Sequence, residues 1–118
     1  MNRNKDTGNA GENIAADYLI TQQFIILERN WRYKHWEVDI IASKGKFLYF
    51  VEVKTRSSYR FGMPEESIGN EKMNALKKAA EEYLYQHPEW KYIQFNVIAI
   101  TMANEEVKEI FMIEDVYF

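Results

Sequence analysis

Three side chains near the middle of the sequence have the types and spacing for hydrolytic chemistry: Asp39 in Glu37-Val38-Asp39-Ile40-Ile41-Ala42, and Glu52 and Lys54 in Phe50-Val51-Glu52-Val53-Lys54-Thr55. Alternate residues of a strand share a face, so Leu48, Phe50, Glu52, Lys54 and Arg56 point one way and Phe47, Tyr49, Val51 and Val53 the other. A strand that is apolar on both faces belongs inside a sheet covered on both sides, and Glu52 and Lys54 are unusual occupants of such a place. With Ser43 to Lys46 as a four-residue loop, Ala42 pairs with Phe47 and Asp39 lies opposite Phe50. Asp39 then shares a face with Glu52, one diagonal away and roughly 7–8 Å between backbone positions. A one-residue change of register would remove this proximity.

Two carboxylates on a mostly buried face repel each other and are costly to desolvate without a cation or hydrogen bonds. Lys54 could pair with one of them, whereas a divalent ion would compensate both. The chain has no cysteine and only two histidines, so an all-oxygen site suits Mg²⁺ or Mn²⁺ rather than zinc. Metal, carboxylates and a lysine together are what phosphodiester hydrolysis needs: the ion activates water and neutralises the phosphate, while the ammonium orients the nucleophile or stabilises the pentavalent transition state. The same three residues also read as a salt-bridged hairpin end in which each satisfies the others. Spacing does not separate the two readings.

The surrounding elements must hold these residues. Gly11 to Gln22 carries an apolar stripe of Ile14, Ala15, Tyr18 and Leu19, which predicts a first helix with Thr7 or Asn9 as its N-cap. Gly8-Asn9-Ala10-Gly11 reads as its entry; the run could accept an anion but lacks the Walker and Rossmann spacings. Phe24 to Leu27, leading into Glu28-Arg29-Asn30-Trp31-Arg32, reads as a first strand, and the runs around Asp39 and Glu52 as a hairpin. A second helix spans Glu71 to Gln86, stopped by His87-Pro88, and strands follow at Tyr92 to Ile100 and Val107 to Ile113. The order α-β-β-β-α-β-β implies an α/β domain with a mixed sheet flanked by helices, because the strand joined through the second helix runs parallel to the one before it.

At 118 residues, residues 1–118 form one expected domain with a core large enough to need no disulfide or structural metal. The absence of cysteine excludes thiolate zinc sites, cysteine nucleophiles and a secreted disulfide scaffold. The polar start and the lack of a long apolar run predict a cytoplasmic chain without signal peptide or membrane span. The formal net charge of −3 argues against binding nucleic acid through bulk charge. Its distribution is uneven: residues 1–60 carry ten Lys/Arg against seven Asp/Glu, whereas residues 61–118 carry five against eleven. The basic excess lies in the half that holds Asp39, Glu52 and Lys54.

Taken in order, Gly11-Glu12, Arg29-Asn30-Trp31-Arg32, Glu37-Val38-Asp39-Ile40-Ile41-Ala42, Phe50-Val51-Glu52-Val53-Lys54-Thr55-Arg56, Phe61-Gly62-Met63-Pro64 and Lys72 resemble the YraN (UPF0102) family of small bacterial proteins over nearly the whole chain. That family is similar in fold to the PD-(D/E)XK nucleases, with archaeal Holliday-junction resolvases nearest among them. The resemblance implies a restriction-endonuclease-like domain acting as a Mg²⁺- or Mn²⁺-dependent DNA endonuclease on branched or flapped DNA. It implies Asp39 and Glu52 as metal ligands, Lys54 as the catalytic lysine and Glu12 as a further carboxylate completing the site. Dimeric working of resolvase-like proteins extends the expectation to a homodimer, although no dimer face is legible. The chain departs from the family's usual pattern twice. His35-Trp36 stands where a glycine usually precedes Glu-x-Asp, and Trp36 would narrow the mouth of a cleft; Asn96 stands for a usual Asp, at the cost of either a metal ligand or a fold-supporting hydrogen bond.

Arg29, Arg32, Lys34, Arg56, Arg60 and Lys72 are the candidate DNA contacts, meeting phosphates without base specificity, against the plainer reading of a solvated basic face. Trp31, Tyr33, Trp36, Tyr59 and Phe61 interleave with them as candidate stacking residues, or as core. The rival function is a non-catalytic nucleic-acid or protein binding module that keeps the nuclease fold.

Overall fold

A strand with two apolar faces needs cover on both, and the chain supplies one helix for each. The computed structural model describes residues 3–57 and 70–116, with side chains from Ala10 in the first helix and from Glu71 in the second. The elements are α1 (Arg3–Thr21), β1 (Ile25–Tyr33), β2 (Trp36–Lys44), β3 (Phe47–Arg56), α2 (Asn70–Gln86), β4 (Tyr92–Ala103) and β5 (Glu106–Ile113). The five strands form one mixed sheet in chain order, β3 at its centre. β3 and β4, joined through α2, are parallel, and the other neighbours are antiparallel. Tyr49 and Val51 of β3 pack with Ala15, Ala16 and Leu19 of α1, while Leu48 and Phe50 pack with Leu76, Ala79, Ala80 and Tyr83 of α2. This is the α/β architecture expected of a restriction-endonuclease-like chain, and the expected parity of β3 holds.

Three local expectations are corrected. α1 begins at Arg3, so Thr7 and Asn9 lie within the helix instead of capping it, and Gly8 to Gly11 is helix and not an entry loop. Gly11 has a packing reason: a Cβ there would collide with the Thr55 hydroxyl, so its absence lets α1 cross the end of β3 closely. The β2–β3 connection is also shorter than the four-residue loop. Lys44 pairs with Phe47 across a two-residue turn, Gly45-Lys46, and Gly45 takes φ 60° at the first central position, where a type II′ hairpin turn wants glycine. The register therefore moves by two residues from the expected one. An even shift preserves which face each side chain occupies, and it brings Asp39 level with Glu52.

The sheet is not uniform. β3 stays paired with β4 from Phe47↔Tyr92 to Arg56↔Thr101, but β2 leaves β3 after Ile40↔Val51. From there β2 pairs only with β1, and the two strands open a fork whose first residues are Asp39 and Glu52.

Candidate active site

The fork is prepared on its β1 side by Asn30. Pairing runs through Arg29↔Ile40 and resumes at Trp31↔Val38, skipping Asn30 and Asp39, and Asn30 has φ 53°, left-handed backbone that asparagine tolerates better than most residues. This left-handed residue falls opposite Asp39, and the Asn30 side chain is a polar neighbour of Glu12 of α1 that favours its charged form. Asp39 Oδ2 accepts a hydrogen bond from the Val53 backbone N–H at 2.9 Å, so a side chain takes over the ladder just where the backbone pairing stops. The structure thus brings Asp39, Glu52, Lys54 and Glu12 into one neighbourhood from two strands and a helix.

The electrostatics of this cluster follow from its burial. Asp39 is pushed up to about 6, first by desolvation and then by Glu52, with Glu37 adding to the rise and the Val53 N–H and Lys72 opposing it. Glu12 is also raised, by burial and then by Asp39, and its Oε1 is buried without a hydrogen-bond partner among the described residues. Glu52 is the most enclosed of the three, with its side chain 7% exposed. Its ion-pair partner is Lys72, from the first turn of α2, rather than Lys54. Burial and the neighbouring Lys72 depress Lys54. Burial also works to lower Lys72, but Glu52 outweighs it and leaves Lys72 raised. Beside these groups, a cavity of about 210 Å³ opens between Trp36, Asp39 and Glu52 of the sheet and Lys72 and Leu76 of α2.

The other candidates scatter. Arg32 is engaged with Glu37 at 3.0 Å on the exposed outer strand. Lys34 sits at the β1–β2 turn, its ammonium 5.4 Å from the Tyr33 ring and 5.9 Å from the Trp36 ring. Arg29 is exposed on β1, and half-buried Arg56 closes β3. Tyr33 and Trp36 stack at 5.9 Å, and Trp36 is one of the residues lining the cavity. Trp31 instead packs edge-on against Tyr83 in the α2-side core, 5.2 Å between centroids, and is not a free stacking surface. Asn96 has a structural role: it is fully buried, its Oδ1 accepts the Asp115 N–H at 3.0 Å and its Nδ2 lies 3.5 Å from Met112 Sδ. It ties the chain beyond β5 back to β4. Arg60, Tyr59 and Phe61 lie outside the described residues.

Sequence reasoning missed the role of Asn30. An asparagine inside an otherwise β-prone run, where it is a poor strand former, was the available signal. It also missed that Lys72 reaches the carboxylates, since nothing in the spacing says how α2 is rotated over the sheet.

A mixed sheet clasped by two helices, with a central strand-pair fork that collects acidic and basic side chains, defines an α/β protein of the nuclease-like kind in fold. The chain belongs to UPF0102, described as an uncharacterised protein family, whose model matches residues 11–100. It is 45% identical over 101 residues to a UPF0102 protein of Dictyoglomus turgidum, covering 85% of this chain and 86% of the relative. A UPF0102 protein of Clostridium botulinum is 45% identical over 102 residues, covering 84% of this chain and 82% of its own length. The matched span contains Glu12, Asn30, Asp39, Glu52, Lys54 and Lys72. Among the described residues, no helix is long and apolar enough to cross a membrane.

Proposed function

We propose that this protein is a Mg²⁺- or Mn²⁺-dependent endodeoxyribonuclease that hydrolyses phosphodiester bonds in branched or flapped DNA. The observation that carries the reading is the fork itself: half-buried Asp39 and buried Glu52, level with each other, beside Lys54 and an open cavity. A structural salt bridge has no need to bury a carboxylate that remains poorly compensated, and Asp39 is one. Among the described residues no three His, Cys, Asp or Glu side chains form a ready metal cage. Mg²⁺ does not require one, since it keeps several waters and is commonly bound through one or two carboxylates. The donor set fits. Asp39 and Glu52 would hold the ion, and Glu12, whose Oε1 has no hydrogen-bond partner among the described residues, would add a further carboxylate to the site.

The ion would supply a Lewis acid for the phosphate and an acidified water. Asp39 is kept in orientation by the Val53 N–H. Lys54, whose charged form burial disfavours, is suited to hold the attacking water at Nζ and to take up its proton. Arg29 on β1, Lys34 at the β1–β2 turn and Arg56 at the end of β3 are the candidate phosphate contacts. A binding module that keeps the fold is the second reading, favoured by one observation: Glu52 already has a cation in Lys72.

A nuclease assay on linear, flapped and four-way DNA with Mn²⁺ decides between them. Asp39→Asn and Glu52→Gln are expected to lower the cleavage rate by about 1,000-fold or more, the loss of roughly 4 kcal/mol of transition-state stabilisation. Lys54→Ala should lose cleavage to a similar degree and still bind metal. No cleavage of any substrate by the parent protein, together with salt-sensitive DNA binding, would leave the binding module standing.

A further inference from the structure

Glu52 and Lys72 form an unequal pair. The carboxylate is enclosed, with 7% of its side chain exposed, whereas the lysine side chain is 49% exposed. Glu52 needs a positive partner wherever it sits, because an uncompensated buried charge is severely unfavourable. Lys72 has no such need. It stands in the first turn of α2, where the helix dipole disfavours a cation, and a flexible four-carbon stem lets its ammonium reach water.

We infer that Lys72 is a displaceable internal counter-cation, whose ammonium holds Glu52 in the metal-free protein and gives way to a divalent ion bound between Asp39 and Glu52. This rests on the metal-dependent reading above. Asp39 lines the same cavity as Glu52 and Lys72, and the single charge of Lys72 serves both carboxylates. A doubly charged ion at the same place would match the two. The exchange reconciles two facts: carboxylates level with each other, and the absence of a preformed three-ligand cage among the described residues. Metal affinity is then set by competition with one residue of α2, and the metal-free fold is protected from its own buried charge.

Mn²⁺ titration of the whole protein at constant pH, followed by the EPR signal of the free ion, reads this without any nuclease activity. Lys72→Gln is expected to bind Mn²⁺ roughly tenfold more tightly than the parent, the scale on which groups touching metal ligands tune affinity. Lys72→Arg keeps the competitor and grips a carboxylate with a planar fork, so it should bind more weakly than the parent. It also preserves the ion pair, which secures a folded variant. Lys78→Gln, exposed elsewhere on α2, controls for the loss of one positive charge and should leave affinity within about twofold of the parent, as a screened, more distant charge requires. Equal affinities for parent, Lys72→Gln and Lys72→Arg, or equal tightening by Lys72→Gln and Lys78→Gln, would overturn the exchange while leaving the metal site intact. No Mn²⁺ binding by any of them would remove the metal-dependent reading and the exchange with it.

Discussion

The β2–β3 pair has two halves built to opposite rules. From Lys44↔Phe47 to Ile40↔Val51 the strands are fully paired, and Ile40, Ile41, Leu48, Phe50 and Val51 are completely buried between the helices. Beyond Val51 the strands part, and within a few residues the occupants are Asp39, Glu52 and Lys54. The paired half gains from dense apolar contact on both faces. The open half gives up backbone pairing, and a side chain, Asp39, replaces a carbonyl as acceptor for the Val53 N–H. Stability is concentrated in one half so that the other can hold charges that a packed sheet would not accept.

The largest expected effect breaks the paired half. Phe50 is fully buried, with Phe95 stacked at 5.4 Å and Tyr83 edge-on at 6.0 Å. Phe50→Ala should cost about 3–5 kcal/mol in urea unfolding. A loss below about 1 kcal/mol would show that the paired half is not where stability lies.

The open half should respond with the opposite sign. The folded-state value of Asp39, about 6, lies above its ordinary 3.8, so the folded protein binds a proton more tightly there than the unfolded chain. Its contribution is present at low pH and lost as pH rises from about 4 through about 6. In EDTA, Asp39→Asn should flatten that part of the pH–stability profile and stabilise the protein at pH 7 by about 1–3 kcal/mol, since a tenfold change in proton affinity is worth ~1.4 kcal/mol. Glu12, Glu37, Glu52 and Lys72 all act on this titration or on one another, so the slope belongs to the cluster as much as to Asp39. A variant that melts far below the parent in EDTA would instead mark Asp39 as a structural ion-pair member.

The smallest effect sharpens the boundary between the halves. Asn30→Ala places an ordinary residue at φ 53° and should cost about 1–2 kcal/mol, whereas Asn30→Gly should be nearly neutral in stability. Both remove the polar side chain that favours the charged form of Glu12. Equal costs for the two would show that backbone strain is not what Asn30 relieves.

Much of this is legible from residue order. The parity of β3 is readable because side chains alternate strictly along a strand, and the mixed sheet because a helical crossover favours parallel pairing. The hairpin register is not, since Ser43-Lys44-Gly45-Lys46 accommodates more than one turn, and only Gly45 at positive φ fixes a two-residue connection. The difference is harmless for the site because it is even. The start of α1 escapes the pattern for another reason: Gly8-Asn9-Ala10-Gly11 reads as a helix entry, and the close crossing at Thr55 that explains Gly11 is a contact between residues far apart in the chain.

The sequence by itself determined that Asp39, Glu52 and Lys54 belong to one hairpin and one face, because strand periodicity is local and is enforced by apolar neighbours on both sides. Tertiary structure alone decided that the hairpin opens at Asp39, that Asn30 and Glu12 stand behind it, and that Lys72 rather than Lys54 is the cation on Glu52. Those outcomes depend on how α1 and α2 are rotated over the sheet and on where the backbone ladder stops. Both are settled by the packing of the whole core, a sum over distant contacts that no local pattern encodes.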